Sequence, residues 1–267
     1  MNFRKTLLFY CDKLLQEYDL TPMIGGEIEF YCSSPHKLAE YALTHSIKIV
    51  EEEGENQFEI QTPVFFDVCE FATCVQEHKK QLLSFAKQKK ICVDFSALPF
   101  AKGPGSGLHI HLNFLNKKRN NVFELHNGKE SDFLLFSVGG LISSIKESMI
   151  FFAPHKKCYD RYKKSMFTPL KIAWGNNNRT TPIRVISKTT DIRRIEHRVP
   201  CADAAPLAVV TAIIVSVYHG LSNQIIPPEK TYGNAFDAQY KLQYLPRNFE
   251  RSQKLFERSE YKKLFLI

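Results

Sequence analysis

Two glutamates stand one residue apart at Glu27 and Glu29, and two histidines do the same at His109 and His111. In a strand, residues i and i+2 point to one face, so each pair would stand side by side. Adjacent carboxylates repel by a few kcal/mol at low dielectric unless a cation or proton sits between them. A third alternation, Arg194-Ile195-Glu196-His197-Arg198, sets a glutamate between two arginines on one face. Carboxylates with an imidazole suit hard cations such as Mg2+ or Mn2+. Arginines beside them suit phosphoryl transfer, which depends on positioning and charge neutralisation. Each signal also has a plainer account: a solvated strand face, a structural histidine pair, an ion-pair ladder.

Two further segments carry candidates. The acidic run Glu51-Glu52-Glu53-Gly54-Glu55 leads to Glu59, which alternates with Phe58 and Ile60. Gly103-Pro104-Gly105-Ser106-Gly107 precedes the histidines. A turn of this kind lets backbone N–H groups approach an anion, but it lacks the Lys-Ser/Thr that ends a nucleotide P-loop.

The elements that must position these residues are legible from periodicity. Leu7, Leu8, Cys11, Leu14, Leu15 and Tyr18 follow helical spacing, and Thr21-Pro22 ends that helix. A strand is expected over Met23–Cys32, a short helix over Pro35–Ser46, extended chain over Ile47–Pro63 and a helix over Val68–Lys87. A strand pair flanking the glycine turn, a polar turn at Asn116–Asn121 and an apolar helix at Phe133–Phe152 come next. An extended, arginine-rich stretch spans Pro154–Pro200, followed by a buried helix at Pro206–Leu221 and an amphipathic helix after Pro246. With no repeat and no low-complexity linker, one domain over residues 1–267 is the simplest account.

Bulk composition narrows the classes. The 36 basic and 28 acidic residues give a net charge of +8, but the basic residues are dispersed, which favours a solvated surface over a nucleic-acid tract. Seven cysteines without a C-x-x-C pair or zinc-ligand spacing, and no secretory leader, point to reduced thiols and a cytoplasmic setting. The two apolar runs are too short or carry charges, Lys146 and Glu147 in one of them, so both are read as buried helices rather than membrane spans.

In order along the chain, these motifs resemble the glutamine synthetase family. Met23–Tyr31 is similar to its E-x-E strand, and Glu52–Ile60 to its E-x-G-x-G-Q-x-E-I segment. Phe95–Phe100 with Gly105–His111 resembles its K-P, G-S-G and H-x-H run. Trp174–Val185 resembles W-G-x-x-N-R-T…R-V-I, and Arg193–Pro200 matches R-R-I-E-x-R-x-P.

The resemblance implies an α+β fold, a curved and mostly antiparallel sheet flanked by helices. It implies an ATP-dependent ligase that joins a glutamate-like carboxylate to an amine through an acyl phosphate. Two Mg2+ or Mn2+ sites are implied, one held by Glu29, Glu52 and Glu59 (with Glu51 a rival for Glu52) and one by Glu27, His109 and Glu196. Arg161 and Arg198 would bind the amino acid with Gly105, and Glu29 would lie beside it. Arg179, Arg184 and Arg194 would face ATP with His111 nearby, Arg184 and Arg161 acting closest to the chemistry.

Departures from the family pattern narrow this further. Phe167 stands where the glutamine-forming members carry a flap glutamate, which favours the branch that uses polyamines or other organic amines. Leu98, Pro104, Lys157-Cys158 and Ala205 also replace family residues. The chain begins at the helix that normally follows an N-terminal β-grasp domain, and a homo-oligomer or a partner subunit is the implied assembly. The competing reading is a catalytically degenerate relative that binds nucleotide, metal or a partner synthetase.

Overall fold

A computed structural model describes residues 1–101, 103–164, 167–187 and 193–266. Ser165 and Met166, next to Phe167, therefore lie outside the described residues. Among the described residues the helices are α1 (Phe3–Tyr18), α2 (Pro35–His45), α3 (Val68–Lys89), α4 (Asp132–Phe152), α5 (Arg161–Lys164), α6 (Pro206–Ser222) and α7 (Phe249–Arg258). The strands are β1 (Thr21–Cys32), β2 (Lys48–Glu51), β3 (Gln57–Gln61), β4 (Val93–Asp94), β5 (Leu108–Leu115), β6 (Trp174–Asn176), β7 (Ile183–Ile186) and β8 (Arg194–His197). They form one open sheet in the order β2-β3-β1-β5-β8-β7-β6, with β4 also pairing β1. Every pairing is antiparallel except β6 with β7. The expected α+β class with a mostly antiparallel sheet is what the chain forms.

Side-chain alternation divides the sheet into two faces. Ile24, Ile28 and Phe30 of β1, Ile60 of β3, Leu108, Ile110, Leu112 and Phe114 of β5, and Ile183, Val185 and Ile195 of β7 and β8 are buried in the apolar core. The residues between them, Glu27, Glu29, Glu59, His109, His111, Arg184, Arg194 and Glu196, stand on the opposite face. A slip of one residue would exchange the two sets, so burial of the apolar set fixes the register.

The helices supply the second layer. Asp67 Oδ1 caps α3 by accepting from the backbone N–H of Cys69 and Glu70, and Ser131 Oγ caps α4 by accepting from Leu134 N. Helices α4 and α6 cross at glycine. A Cβ on Gly220 would fall 2.1 Å from the Phe136 carbonyl oxygen, and one on Gly140 2.0 Å from that of Ser216. Beside this crossing, Ser144 Oγ donates to Ser216 Oγ at 2.7 Å, and Tyr261 OH lies 2.7 Å from the same hydroxyl. Helix α4 is long and apolar enough by composition to cross a membrane, but more than half of its apolar window is buried inside the protein.

Two local expectations need adjustment. The stretch Pro154–Pro200, expected to be extended and loop, holds a 3-10 turn at Lys156–Asp160 and the short helix α5. Only β5 is a full strand beside the glycine turn; on the other side β4 is two residues long, and Phe95–Ala101 is irregular.

Candidate functional site

Cross-strand register carries the chemistry together. Glu27 is opposite His109 on β5 and Gln61 on β3, and Glu29 is opposite Glu59. Glu196 on β8 is opposite both His111 on β5 and Arg184 on β7. Directly opposed residues share a face within side-chain reach, so five strands deliver these groups to one place.

His109 is at the centre. Its Nδ1 lies 3.3 Å from Glu27 Oε2 and 3.6 Å from Glu196 Oε1, while its Nε2 lies 3.6 Å from Glu29 Oε1. His111 Nε2 lies 3.1 Å from Glu27 Oε1, and His111 Nδ1 accepts from Arg194 Nε at 2.9 Å. Glu27, His111 and Glu196 present ligand atoms that all lie within 4.8 Å of one another. Burial would raise the Glu27 pKa, but hydrogen bonds from His109 and His111 outweigh it and hold the carboxyl well below the usual range.

Glu196 is 1% exposed. Its Oε2 accepts from Arg184 at 2.8 Å and its Oε1 from Arg198 at 2.6 Å. Burial opposes its ionisation, yet Arg198 and the two histidines overcome that and bring its pKa down to about 2. The arginine–glutamate alternation is therefore an ion-pair ladder and part of the acid cluster at the same time.

The opposite tendency appears at Glu59. Burial, then the charge of Glu27, push its pKa up to about 8; Gln61 Nε2, donating at 2.6 Å, offsets this in part, and a carboxyl hydrogen bond with Glu52 adds to it. A carboxylate kept protonated by its neighbours is what a divalent cation would relieve, and an all-oxygen donor set of this kind fits Mg2+ or Mn2+. Glu52 lines the cavity with Glu59, whereas Glu51 is exposed at the end of β2 and does not line it.

The glycine turn meets an anion belonging to the chain itself. Gly107 N–H donates to Glu29 Oε2 at 2.5 Å. A Cβ at Gly107 would fall 2.6 Å from a terminal nitrogen of Arg161 and 2.9 Å from His109 Nε2, so only glycine admits this packing. The turn is anchored from β1 and β3: Tyr31 OH donates to Pro104 O at 2.9 Å and Gln57 Nε2 to Gly105 O at 3.2 Å.

The carboxylates, imidazoles and arginines of the site face one cavity of about 670 Å3. Glu27, Glu29, Glu52 and Glu59 line its wall together with Arg161, Arg179, Arg184, Arg194 and Arg198, and Gly105 and Phe167 line it too. Arg161 is 2% exposed and donates to Val199 O at 2.7 Å; Arg179 is exposed. The Nε atoms of Arg161, Arg184 and Arg198 are buried without a hydrogen-bond partner among the described residues. Buried guanidinium donors left unspent in a cavity wall fit an anionic ligand.

Every residue expected at the site lines this cavity. Arg193 does not: it pairs with Glu130, which also pairs with Lys230, away from the sheet's polar face. Sequence reading missed Gln57 and Gln61, which the alternation around Glu59 already placed on its face, and Asn234 and Phe236, which only the fold brings in. Phe167 has φ 64, a left-handed conformation that costs a non-glycine residue energy, and is 57% exposed at the rim.

Comparison with known proteins agrees with this geometry. Residues 36–266 match the glutamine synthetase catalytic-domain model. The chain is 32% identical over 204 residues to γ-glutamylputrescine synthetase PuuA of Escherichia coli K12, covering 75% of this chain and 43% of that protein. It is 28% identical to γ-glutamylethanolamide synthetase GlnA4 of Streptomyces coelicolor, covering 70% of this chain and 40% of the relative. For the glutamate–isopropylamine ligase of a Pseudomonas species the identity is 26%, covering 78% of this chain and 46% of the relative. The chain thus spans less than half the length of these curated relatives. A solved structure of GmaS without ligand superposes with a TM-score of 0.81 at 22% identity, covering 97% of this chain and 67% of GmaS, which establishes the same fold. Ordered motifs, fold and a match over most of the chain have one explanation: the chain belongs to the glutamine synthetase family.

Proposed function

We propose that this chain is an ATP- and Mg2+- or Mn2+-dependent ligase that joins the γ-carboxylate of glutamate to an organic amine through a γ-glutamyl phosphate. The observation that carries the reading is the convergence on one cavity of about 670 Å3 of Glu27, Glu29, Glu52, Glu59 and Glu196, two imidazoles and five arginines. Divalent cations, held by Glu29, Glu52 and Glu59 on the acceptor side and by Glu27, His109 and Glu196 on the nucleotide side, would neutralise the phosphoryl charge. His111, 3.1 Å from Glu27, is a second imidazole for the nucleotide side.

The chain's own residues do the rest. Arg179, Arg184 and Arg194 bind and orient the ATP phosphates with His111. Arg161 and Arg198, with the Gly105 backbone, hold the amino acid so that its side-chain carboxylate meets the γ-phosphoryl group. Arg184 and Arg161 stabilise the charge that develops as that carboxylate takes the phosphoryl group. Glu29, fixed by the Gly107 N–H, stays beside the acceptor. The acceptor oxygen forms its bond to phosphorus as ADP leaves, and the amine then displaces phosphate from the acyl carbon.

Phe167 and Phe236 supply the argument for the amine. Both line the cavity and neither can take a proton, while aromatic faces favour a carbon-bearing cation over ammonium. The names of the relatives, which specify putrescine, ethanolamide and isopropylamine, support the same class. The test is phosphate release from ATP with Mg2+ or Mn2+, glutamate and a panel of amines that includes putrescine, ethanolamine, isopropylamine and ammonium. Amine-dependent release, strongest with an organic amine, is expected. Silence across the panel with nucleotide still bound would replace this reading with a non-catalytic nucleotide-binding relative.

A further inference from the structure

Three residues that the ligase chemistry does not use come together away from the cavity lining. His155 precedes a 3-10 turn at Lys156–Asp160, Cys158 lies within it, and Asp203 lies in the segment that follows β8. Their ligand atoms all lie within 4.8 Å of one another. His155 Nε2 is 3.0 Å from Asp203 Oδ2, and Cys158 Sγ is 3.3 Å from that nitrogen and 3.8 Å from the same oxygen.

Zinc bonds to sulfur of about 2.3 Å, and to nitrogen and oxygen of about 2.0–2.2 Å, place tetrahedral ligand atoms about 3.3–3.6 Å apart. The three observed separations match that pattern to within about 0.3 Å, without backbone movement. One soft thiolate with one imidazole and one carboxylate is a donor set for Zn2+ rather than Mg2+, which takes oxygen ligands. A nucleophile–base–carboxylate reading of the same trio fails on access: Cys158 is 0% exposed, so no substrate carbonyl reaches its sulfur. Access for a cation is different. The His155 side chain is 52% exposed and that of Asp203 21%, so an ion approaches from their side and meets the sulfur from within.

The geometry points to a Zn2+ site with three protein ligands, His155, Cys158 and Asp203, and an open fourth position for water on the solvent side. Binding is a ligand exchange without redox change: the Cys158 thiol proton leaves to solvent as the zinc–sulfur bond forms. The site would tie the 3-10 turn to the chain after β8. Arg161 directly follows that turn and donates to Val199 O at 2.7 Å, so the same tie braces Arg161. The inference does not depend on the ligase reading.

Co2+ titration of the full chain, kept reduced with a non-chelating phosphine, separates this site from the carboxylate cluster, because only cobalt–thiolate bonding gives an intense near-ultraviolet charge-transfer absorption. One equivalent of Co2+ should produce that band, and Zn2+ should displace it. His155→Gln, at a half-exposed position that does not threaten folding, should weaken Co2+ binding about 100-fold or more, since even an outer-shell partner is worth about 10–100-fold. Cys158→Ser should abolish the band, whereas Cys201→Ser and Glu27→Gln should leave it. Absence of a thiolate band in the reduced wild-type chain overturns the proposal. So does a band that survives either His155→Gln at full affinity or Cys158→Ser.

Discussion

At the residue scale, Glu196 and Glu59 are carboxylates with opposite assignments set by their neighbours. Glu196 is ionised because Arg184 and Arg198 bracket it, and removing its charge leaves two guanidinium groups facing each other without a counter-charge. Breaking a buried pair costs about 3–5 kcal/mol when one partner is left behind. Glu196→Gln, which keeps shape and one acceptor, should fall at or below that range in stability. It should still lower kcat/KM at least 100-fold, read by amine-dependent phosphate release beside a urea midpoint. A variant with near-normal activity would remove Glu196 from the nucleotide side.

Glu59 predicts a pH dependence. Its folded pKa of about 8 lies above the unfolded carboxylate value of about 4.3, so the metal-free folded protein holds a proton that the unfolded chain releases. The stability this contributes is complete below about pH 4.3 and is lost as pH rises through about 8. A Mn2+ ion bound at Glu59 would replace that proton. The rise in Tm produced by Mn2+ should therefore be larger at pH 8.5 than at pH 6, and equal shifts at the two pH values would contradict Glu59 as a ligand.

At the scale of elements, the active face is only as firm as the helix layer behind it. Gly220 packs its Cα against Gly140, and an added methyl at Gly220 would meet the Phe136 carbonyl at 2.1 Å. Overpacking of a core costs about 1–3 kcal/mol and more where backbone must move. Gly220→Ala should therefore lower stability by about 3 kcal/mol or more, seen as a reduced urea midpoint at unchanged m. Gly128, with φ 77 and no atom within 4 Å of its notional Cβ, is a control of a different kind, since there only the backbone conformation is at stake.

The segment that carries Phe167 belongs to this scale as well, because it brings an aromatic ring to the cavity rim in a left-handed conformation. Phe167→Glu should reduce kcat/KM for organic amines about tenfold relative to ammonium, in line with the 1–3 kcal/mol that one apolar contact is worth in discrimination. An unchanged ratio of the two kcat/KM values would take Phe167 out of amine selection.

For the whole molecule, a net charge of +8 coexists with a cavity lined by five glutamates of the site, Glu27, Glu29, Glu52, Glu59 and Glu196. Nucleotide and metal should therefore bind interdependently, the metal joining phosphates to the acidic wall. At about 100 times Kd, a ligand that binds only the folded state adds about 2.7 kcal/mol. For a chain of this size that is a rise in Tm of about 5–10 °C. ATP with Mn2+ should give such a shift in a thermal scan, ATP with EDTA a much smaller one, and equal shifts would argue against a metal-bridged site.

The alternation of Glu27 and Glu29, of His109 and His111, and of Arg194, Glu196 and Arg198 was sufficient to put each set on one strand face. The reason is that a strand's side-chain period of two is a local property. The ordered motifs likewise determined the family before any fold was known. Other features were decided only by tertiary structure. That Glu52 rather than Glu51 lines the cavity depends on the exit from β2, and His111 joining Glu27 and Glu196 required the register of three strands. Asn234 and Phe236 reach the cavity from a loop far along the chain. The cysteines, with no zinc-ligand spacing, gave no metal signal, because Asp203 meets His155 and Cys158 only when the chain after β8 folds back beside the 3-10 turn. Local periodicity sets which way a side chain points; which other side chain it meets depends on contacts between residues distant in the chain, and those are fixed by the packing of the whole core.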